Sequence, residues 1–176
     1  MRCPGRGSLG GVPGLLGAVL GLLAALVLGL VGMFVLGQRR VTVRGLSMLP
    51  LLADGNGVLV DRLAYRLRRP RRGDIVLLRG PAGAGGPPLL LKRLLGLPGE
   101  QIAVARDQLW VEGRPLDLGR PVVGSGPGSW LLGPDAYFAL SDNLALGTDS
   151  RHTGPVRRAD ILGQAWLVYA PAARRL

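Results

Sequence analysis

Residues 7–37 carry no charged side chain, and Val12 to Leu36 is almost wholly apolar. That run exceeds the roughly 20 residues needed to cross a bilayer core. A cleavable signal peptide has a shorter apolar region, about 7 to 15 residues. A transmembrane helix that stays with the protein is therefore expected, and it organises everything else. Residues 1–38 form an N-terminal tail and anchor, and residues 39–176 are left for a single compact domain. Arg2 and Arg6 precede the apolar run, while Arg39, Arg40 and Arg44 follow it. By charge count alone, this slightly favours a cytoplasmic carboxy-terminal domain.

Several classes of function can be set aside from residue usage. Cys3 is the only thiol, so no internal disulfide can form. His152 is the only histidine, and a zinc site needs three or four Cys, His or carboxylate ligands, so no metal is expected. The net charge of +11 rests on 22 basic residues, with a cluster at Arg66, Arg68, Arg69, Arg71 and Arg72. Only Tyr65 stands nearby to stack on a base, and no nucleic-acid-binding motif surrounds the cluster. A solvated loop, or a patch close to anionic lipid, accounts for it better than a nucleic-acid partner.

Beyond the anchor the pattern is β-rich. Val41 to Leu46 reads as a strand, and Asp54-Gly55-Asn56-Gly57 is a turn leading into Val58-Leu59-Val60. Ile75 to Leu78, Leu89 to Leu95, Gln101 to Ala105 and Gln108 to Glu112 read as further strands, the last two paired through Arg106-Asp107. Tyr137 to Leu140 and Ile161 to Tyr169 complete the set, with loops at Gly80 to Pro88 and Leu118 to Gly128. No long amphipathic helix is evident outside the membrane segment.

Of the 22 basic residues only Lys92 is a lysine. Arginine stays protonated under ordinary conditions, whereas a buried lysine can lose its proton and act as a base. In an extended strand Leu90, Lys92 and Leu94 share one face, so two leucines flank the amine and help desolvate it. A general base needs a nucleophile to serve. Among six serines, Ser47 in Gly45-Leu46-Ser47-Met48-Leu49-Pro50 is the strongest candidate, just past the anchor on an apolar floor. As a lone motif it could equally be a turn residue.

Taken together, the motifs resemble those of the type I signal peptidase family. They run in order: Ser47-Met48-Leu49-Pro50, Arg72-Gly73-Asp74-Ile75-Val76, Lys92-Arg93-Leu94-Leu95-Gly96-Leu97-Pro98-Gly99-Glu100, Ser141-Asp142-Asn143, and Thr148-Asp149-Ser150-Arg151 with Gly154 and Val156. The resemblance covers Val41 to Tyr169 and implies a mainly β catalytic domain behind one N-terminal transmembrane helix. It also implies a Ser/Lys dyad, Ser47 as nucleophile and Lys92 as general base, that removes signal peptides from secretory preproteins after small residues. The backbone N–H of Ser47 would help hold the oxyanion. By the same resemblance Asp149, Ser150 and Arg151 support the dyad, with Ser150 able to orient the lysine. Met48, Leu52, Leu90 and Leu91 match positions lining the substrate's apolar pockets, and the peptide would add as a strand.

The implied setting is a single-pass membrane protein with a cytoplasmic N-terminus and an extracytoplasmic domain, near the lipid bilayer and the translocation machinery, needing no cofactor. This runs against the charge count. The chain departs from the family pattern at Gly45, where Ser or Thr often supplies an oxyanion donor, and at Leu51, a usual threonine. Ser141 stands at the first glycine of a Gly-Asp-Asn motif, and Gly147 where a serine can support the lysine. Three other readings share some of these features. They are a dedicated pilin-processing Ser/Lys protease, a self-cleaving repressor, which the anchor disfavours, and an inactive membrane-bound peptide-binding homologue.

Overall fold

The computed structural model describes residues 12–81 and 88–176, so most of the expected 80–88 loop lies outside the described residues. The chain divides after Gly37 into two compact units. The first is helix α1, Val12–Gly37, whose 26 residues would extend roughly 39 Å at 1.5 Å per residue. Leu20, Leu22, Leu28 and Leu36 are exposed along it, which in water would be unfavourable and in lipid is not. The helix is long and apolar enough for one membrane span.

The second unit, Gln38–Leu176, is mainly β, and its strands pair antiparallel. In chain order these are β1 (Gln38–Thr42), β2 (Gly57–Asp61), β3 (Ile75–Arg79), β4 (Leu89–Gly96), β5 (Gln101–Ala105), β6 (Gln108–Val111), β7 (Arg114–Leu116), β8 (Gly128–Leu131), β9 (Ala136–Leu140), β10 (Val156–Arg157), β11 (Ile161–Ala170) and β12 (Arg174–Arg175). The larger sheet runs β1, β2, β11, β3, β4, β9, β10, with β12 added to β11. The smaller runs β7, β6, β5, β8. Among the described residues the strands are interrupted by the short helices α2 (Ala64–Leu67) and α3 (Ser150–Thr153) and by a 3-10 turn, Arg158–Asp160.

Both faces of the larger sheet are covered. Ile75 and Leu77 of β3 join Met48, Leu52, Val58, Val60 and Leu91 in one core. Val76 and Leu78 point the other way and join Tyr65, Leu94, Tyr137 and Ile161 in another. A strand buried on both sides must be apolar at every position, which is why residues 75–78 lack the alternation of a half-exposed strand. A third core, around Ile102, Leu109, Phe138 and Leu140, packs the smaller sheet against β9.

The expected strand at Val41 to Leu46 is displaced. β1 pairs Gln38 with Asp61 through Thr42 with Gly57, and Val43 then closes a loop by bonding Asn56 and Gly55. Gly45, at φ +83°, turns the chain away from the sheet. Ser47 therefore sits in a loop rather than beyond the end of a strand. The Arg106-Asp107 hairpin forms as expected, both residues having positive φ.

The arginine cluster is less solvated than its composition suggests. Arg68 pairs with Asp74 at 2.9 Å, and Arg72 bonds Glu100 and the Leu95 carbonyl. Asp74 also accepts from the Tyr65 hydroxyl and the Arg71 N–H, and burial beside it pushes the Tyr65 hydroxyl far above its usual pKa. These arginines fasten the start of β3.

Candidate active site

Lys92 lies in the middle of β4, opposite Val76 of β3. Leu90 and Leu94 stand on its face in the same apolar core, as the strand period requires. The residue is only 4% exposed. Burial pushes its amine below the usual lysine pKa, and the Arg151 charge adds to that shift, while Asp149 and Asp142 pull it partly back.

Register brings a serine to this amine. Because Arg93 of β4 pairs with Leu140 of β9 in an antiparallel ladder, the next residue beyond β9 falls opposite Lys92. That residue is Ser141, and Lys92 Nζ donates to its Oγ at 2.8 Å. Ser150, which the resemblance offered as the lysine's partner, instead accepts from the Ala139 N–H at 3.0 Å. It lines the same cavity as Lys92, of about 270 Å³, without bonding it.

Ser47 reaches the neighbourhood through the same short segment. The Asn143 N–H donates to the Ser47 carbonyl at 2.8 Å, and Asn143 Nδ2 to the Leu46 carbonyl at 3.2 Å. Ser141 and Asn143, two residues apart, thus tie the lysine strand to the serine loop. Ser47 is half-buried and lines a cleft of about 230 Å³ with Met48, Leu89, Leu90, Leu91 and the edge residues Val41 to Arg44. Its side chain makes no hydrogen bond to Lys92, and among the described residues its backbone N–H has no acceptor. The cleft and the lysine cavity share Leu90. Of the four expected substrate contacts, Met48, Leu90 and Leu91 line the cleft, whereas Leu52 is fully buried in the core beneath it. The Gly45 N–H, next along the loop, is already taken by Asp54 at 2.6 Å.

A buried ion pair holds this arrangement from behind. Arg151 Nε and Nη2 bond the two carboxylate oxygens of Asp149 at 2.8 and 2.9 Å, both side chains having zero exposure. Arg151 also donates to the carbonyls of Val123, Leu144 and Gly147. Asp149 accepts from the Ser141 N–H at 2.9 Å and caps α3 through the Arg151 N–H. Burial alone would push the Asp149 carboxyl up, but the Arg151 and Ser141 bonds override it and hold the group below its usual pKa. In front, Arg93 makes a bidentate pair with Asp142, 2.7 Å to each oxygen. Asp142, Asp149 and Arg93 thereby clamp the Ser141 to Asn143 segment. Ser141 and Asn143 stand in the Ser141-Asp142-Asn143 motif but are not among the site residues that the resemblance implies. Only the β4–β9 register, which joins strands distant in the chain, brings them to the middle of β4.

The family model for signal peptidase, peptidase S26, matches residues 16–170. The chain belongs to that family. Signal peptidase I V of Bacillus subtilis is 35% identical over 137 residues, covering 69% of this chain and 79% of that protein. Signal peptidase I of Bacillus caldolyticus is 32% identical over 145 residues, covering 73% and 78%. A crystal structure of a signal peptidase I from Enterococcus faecalis aligns at 25% identity over 55% of this chain and 97% of its own, with a TM-score of 0.46. The protein is a serine endopeptidase of the signal peptidase type, and its apolar N-terminal helix fits a membrane-anchored member with a single span.

Proposed function

We propose that this signal peptidase cuts with Ser47 as nucleophile and Lys92, held neutral, as general base, removing signal peptides from exported preproteins after small residues. The observation that carries the reading is that one clamped segment bonds both the buried lysine, through Ser141, and the loop of the open serine, through Asn143. Ser141 is the hydroxyl nearest the amine, but at 2% exposure no peptide carbonyl can reach it. Ser47 lines the open cleft and keeps a free backbone N–H for the developing oxyanion. Proton transfer needs the serine oxygen within about 3 Å of the amine, and such contacts commonly tighten only when substrate binds.

In the reaction the Lys92 lone pair takes the Ser47 proton as Oγ attacks the scissile carbonyl. The ammonium then gives a proton to the departing amine, leaving an acyl-serine. Water, deprotonated by the same amine, releases the acyl group and restores the enzyme. Substrate binds as an extended strand along residues 41–44 and the start of β4, with small side chains directed at Met48, Leu90 and Leu91. Asp149, Ser150 and Arg151 support the dyad without touching substrate.

The proposed setting places the N-terminus in the cytoplasm and the domain outside, beside the lipid and the translocation machinery from which preproteins emerge. Arg40, one of the arginines that argued the other way, lies over the Tyr169 ring at 5.8 Å, so its presence has a structural reason. The test is cleavage of a preprotein bearing an Ala-x-Ala site by the detergent-solubilised protein. Ser47→Ala and Lys92→Arg should each be inactive while remaining folded. Undiminished cleavage by either variant would remove its residue from the mechanism.

A further inference from the structure

Two positions six residues apart in sequence compete for one space beside the lysine. Gly147 has a φ outside the left-handed region, so its backbone would accept a side chain. Space is what forbids one. A Cβ built on Gly147 overlaps both the Cβ and the Oγ of Ser141, and only then meets the Asn143 carbonyl, at 3.0 Å. The pocket beside the amine therefore holds a single small side chain, which can enter from residue 141 or from residue 147, but not from both.

In this chain the occupant is Ser141, and its hydroxyl is the only hydrogen-bond partner of Lys92 Nζ among the described residues. Its position is fixed twice over, by its own N–H on Asp149 and by the β4–β9 register. The geometry points to Ser141 as the positioning residue for the general base, and to Ser141 and Gly147 as an interchangeable pair in which either residue can supply the one hydroxyl. The inference rests on the Lys92 reading above. Without that hydroxyl the long lysine side chain regains rotamer freedom and the amine loses its fixed place in the cavity that shares Leu90 with the Ser47 cleft.

The experiment compares preprotein cleavage by the full-length protein and six variants: Ser141→Ala, Ser141→Gly, Gly147→Ser, Ser141→Gly/Gly147→Ser, Ser141→Gly/Gly147→Ala and Lys92→Arg, with a melting temperature for each. Ser141→Ala and Ser141→Gly should lower kcat about ten- to a hundredfold with KM nearly unchanged, part of what an oriented general base contributes. Gly147→Ser alone should be poorly folded, because two side chains then share one space. Moving the serine, as Ser141→Gly/Gly147→Ser, should bring kcat back to within a few-fold of the unmodified protein, and Ser141→Gly/Gly147→Ala, which restores volume without the hydroxyl, should not.

Equal recovery by the Ala and Ser double variants would mean that packing alone matters, and would overturn the inference. Full activity in Ser141→Ala would overturn it as well, and that variant removes one oxygen only, so it decides the matter even if the double variants do not fold. Activity in Lys92→Arg would instead overturn the dyad reading on which the inference rests.

Discussion

In the proposed mechanism Lys92 acquires its chemistry from a choice of residue that burial then acts upon. An arginine in the same slot between Leu90 and Leu94 would keep its charge and could not serve as the proposed base. The lowered pKa of the amine also links activity to stability. In the unfolded chain the lysine titrates near its usual value, about 10.4. Between the lowered folded pKa and that value the unfolded state binds more protons, so stability rises with pH across this window. Below the folded pKa the native state bears the full penalty, about 1.4 kcal/mol for each unit of lowering. Urea unfolding across a pH series should therefore show the unmodified protein gaining stability relative to Lys92→Met as pH rises towards about 10. A constant difference between the two would mean that the amine is not held neutral. The uniqueness of Lys92 and its leucine-flanked face were legible in the sequence. Its partner was not, because nothing local distinguishes Ser141 from Ser150; the choice is made by pairing between β4 and β9, strands more than 40 residues apart.

The segment from β9 to α3 shows how one ion pair can order an element without regular structure. Residues 141–149 contain no strand, and their carbonyls at Leu144 and Gly147 are satisfied by Arg151 rather than by a ladder. Replacing Arg151 by leucine leaves the Asp149 carboxylate buried and unpaired, a loss of about 3–5 kcal/mol. Denaturant titration should show that loss together with a large fall in cleavage, since the Ser141 N–H is anchored on the same carboxylate. A loss below about 1 kcal/mol would mean that the segment is held by something else. Strands with clear patterning were readable, β3 to β6, β9 and β11 among them. Two others were hidden by their composition. β7 contains Pro115 and β8 begins at Gly128, both unfavourable in a central strand, yet both strands sit at the edges of the smaller sheet, where these residues are tolerated.

At the scale of the whole molecule, the anchor and the β unit answer to different solvents. α1 exposes leucine along its length, while residues 38–176 bury their own cores. The β unit produced without residues 1–37 should melt cooperatively and cleave a short soluble peptide with an Ala-x-Ala site, while losing rate on preproteins embedded in vesicles. A truncated chain that stayed unfolded would show that the helix contributes to the domain's own stability. Topology is the property the sequence left in conflict, because arginines flank both ends of the apolar run. A reporter fused after Leu176 should be extracytoplasmic, and a cytoplasmic reporter would exclude preprotein processing by this domain.

The most direct test of the mechanism is to find where the acyl group resides. A substrate ester mixed with the solubilised protein and quenched in acid should leave the acyl group on the peptide containing Ser47, as read by mass spectrometry, and no such adduct should form in Lys92→Arg. An adduct on Ser141 or Ser150, or one on Ser47 that forms equally well in Lys92→Arg, would contradict the account.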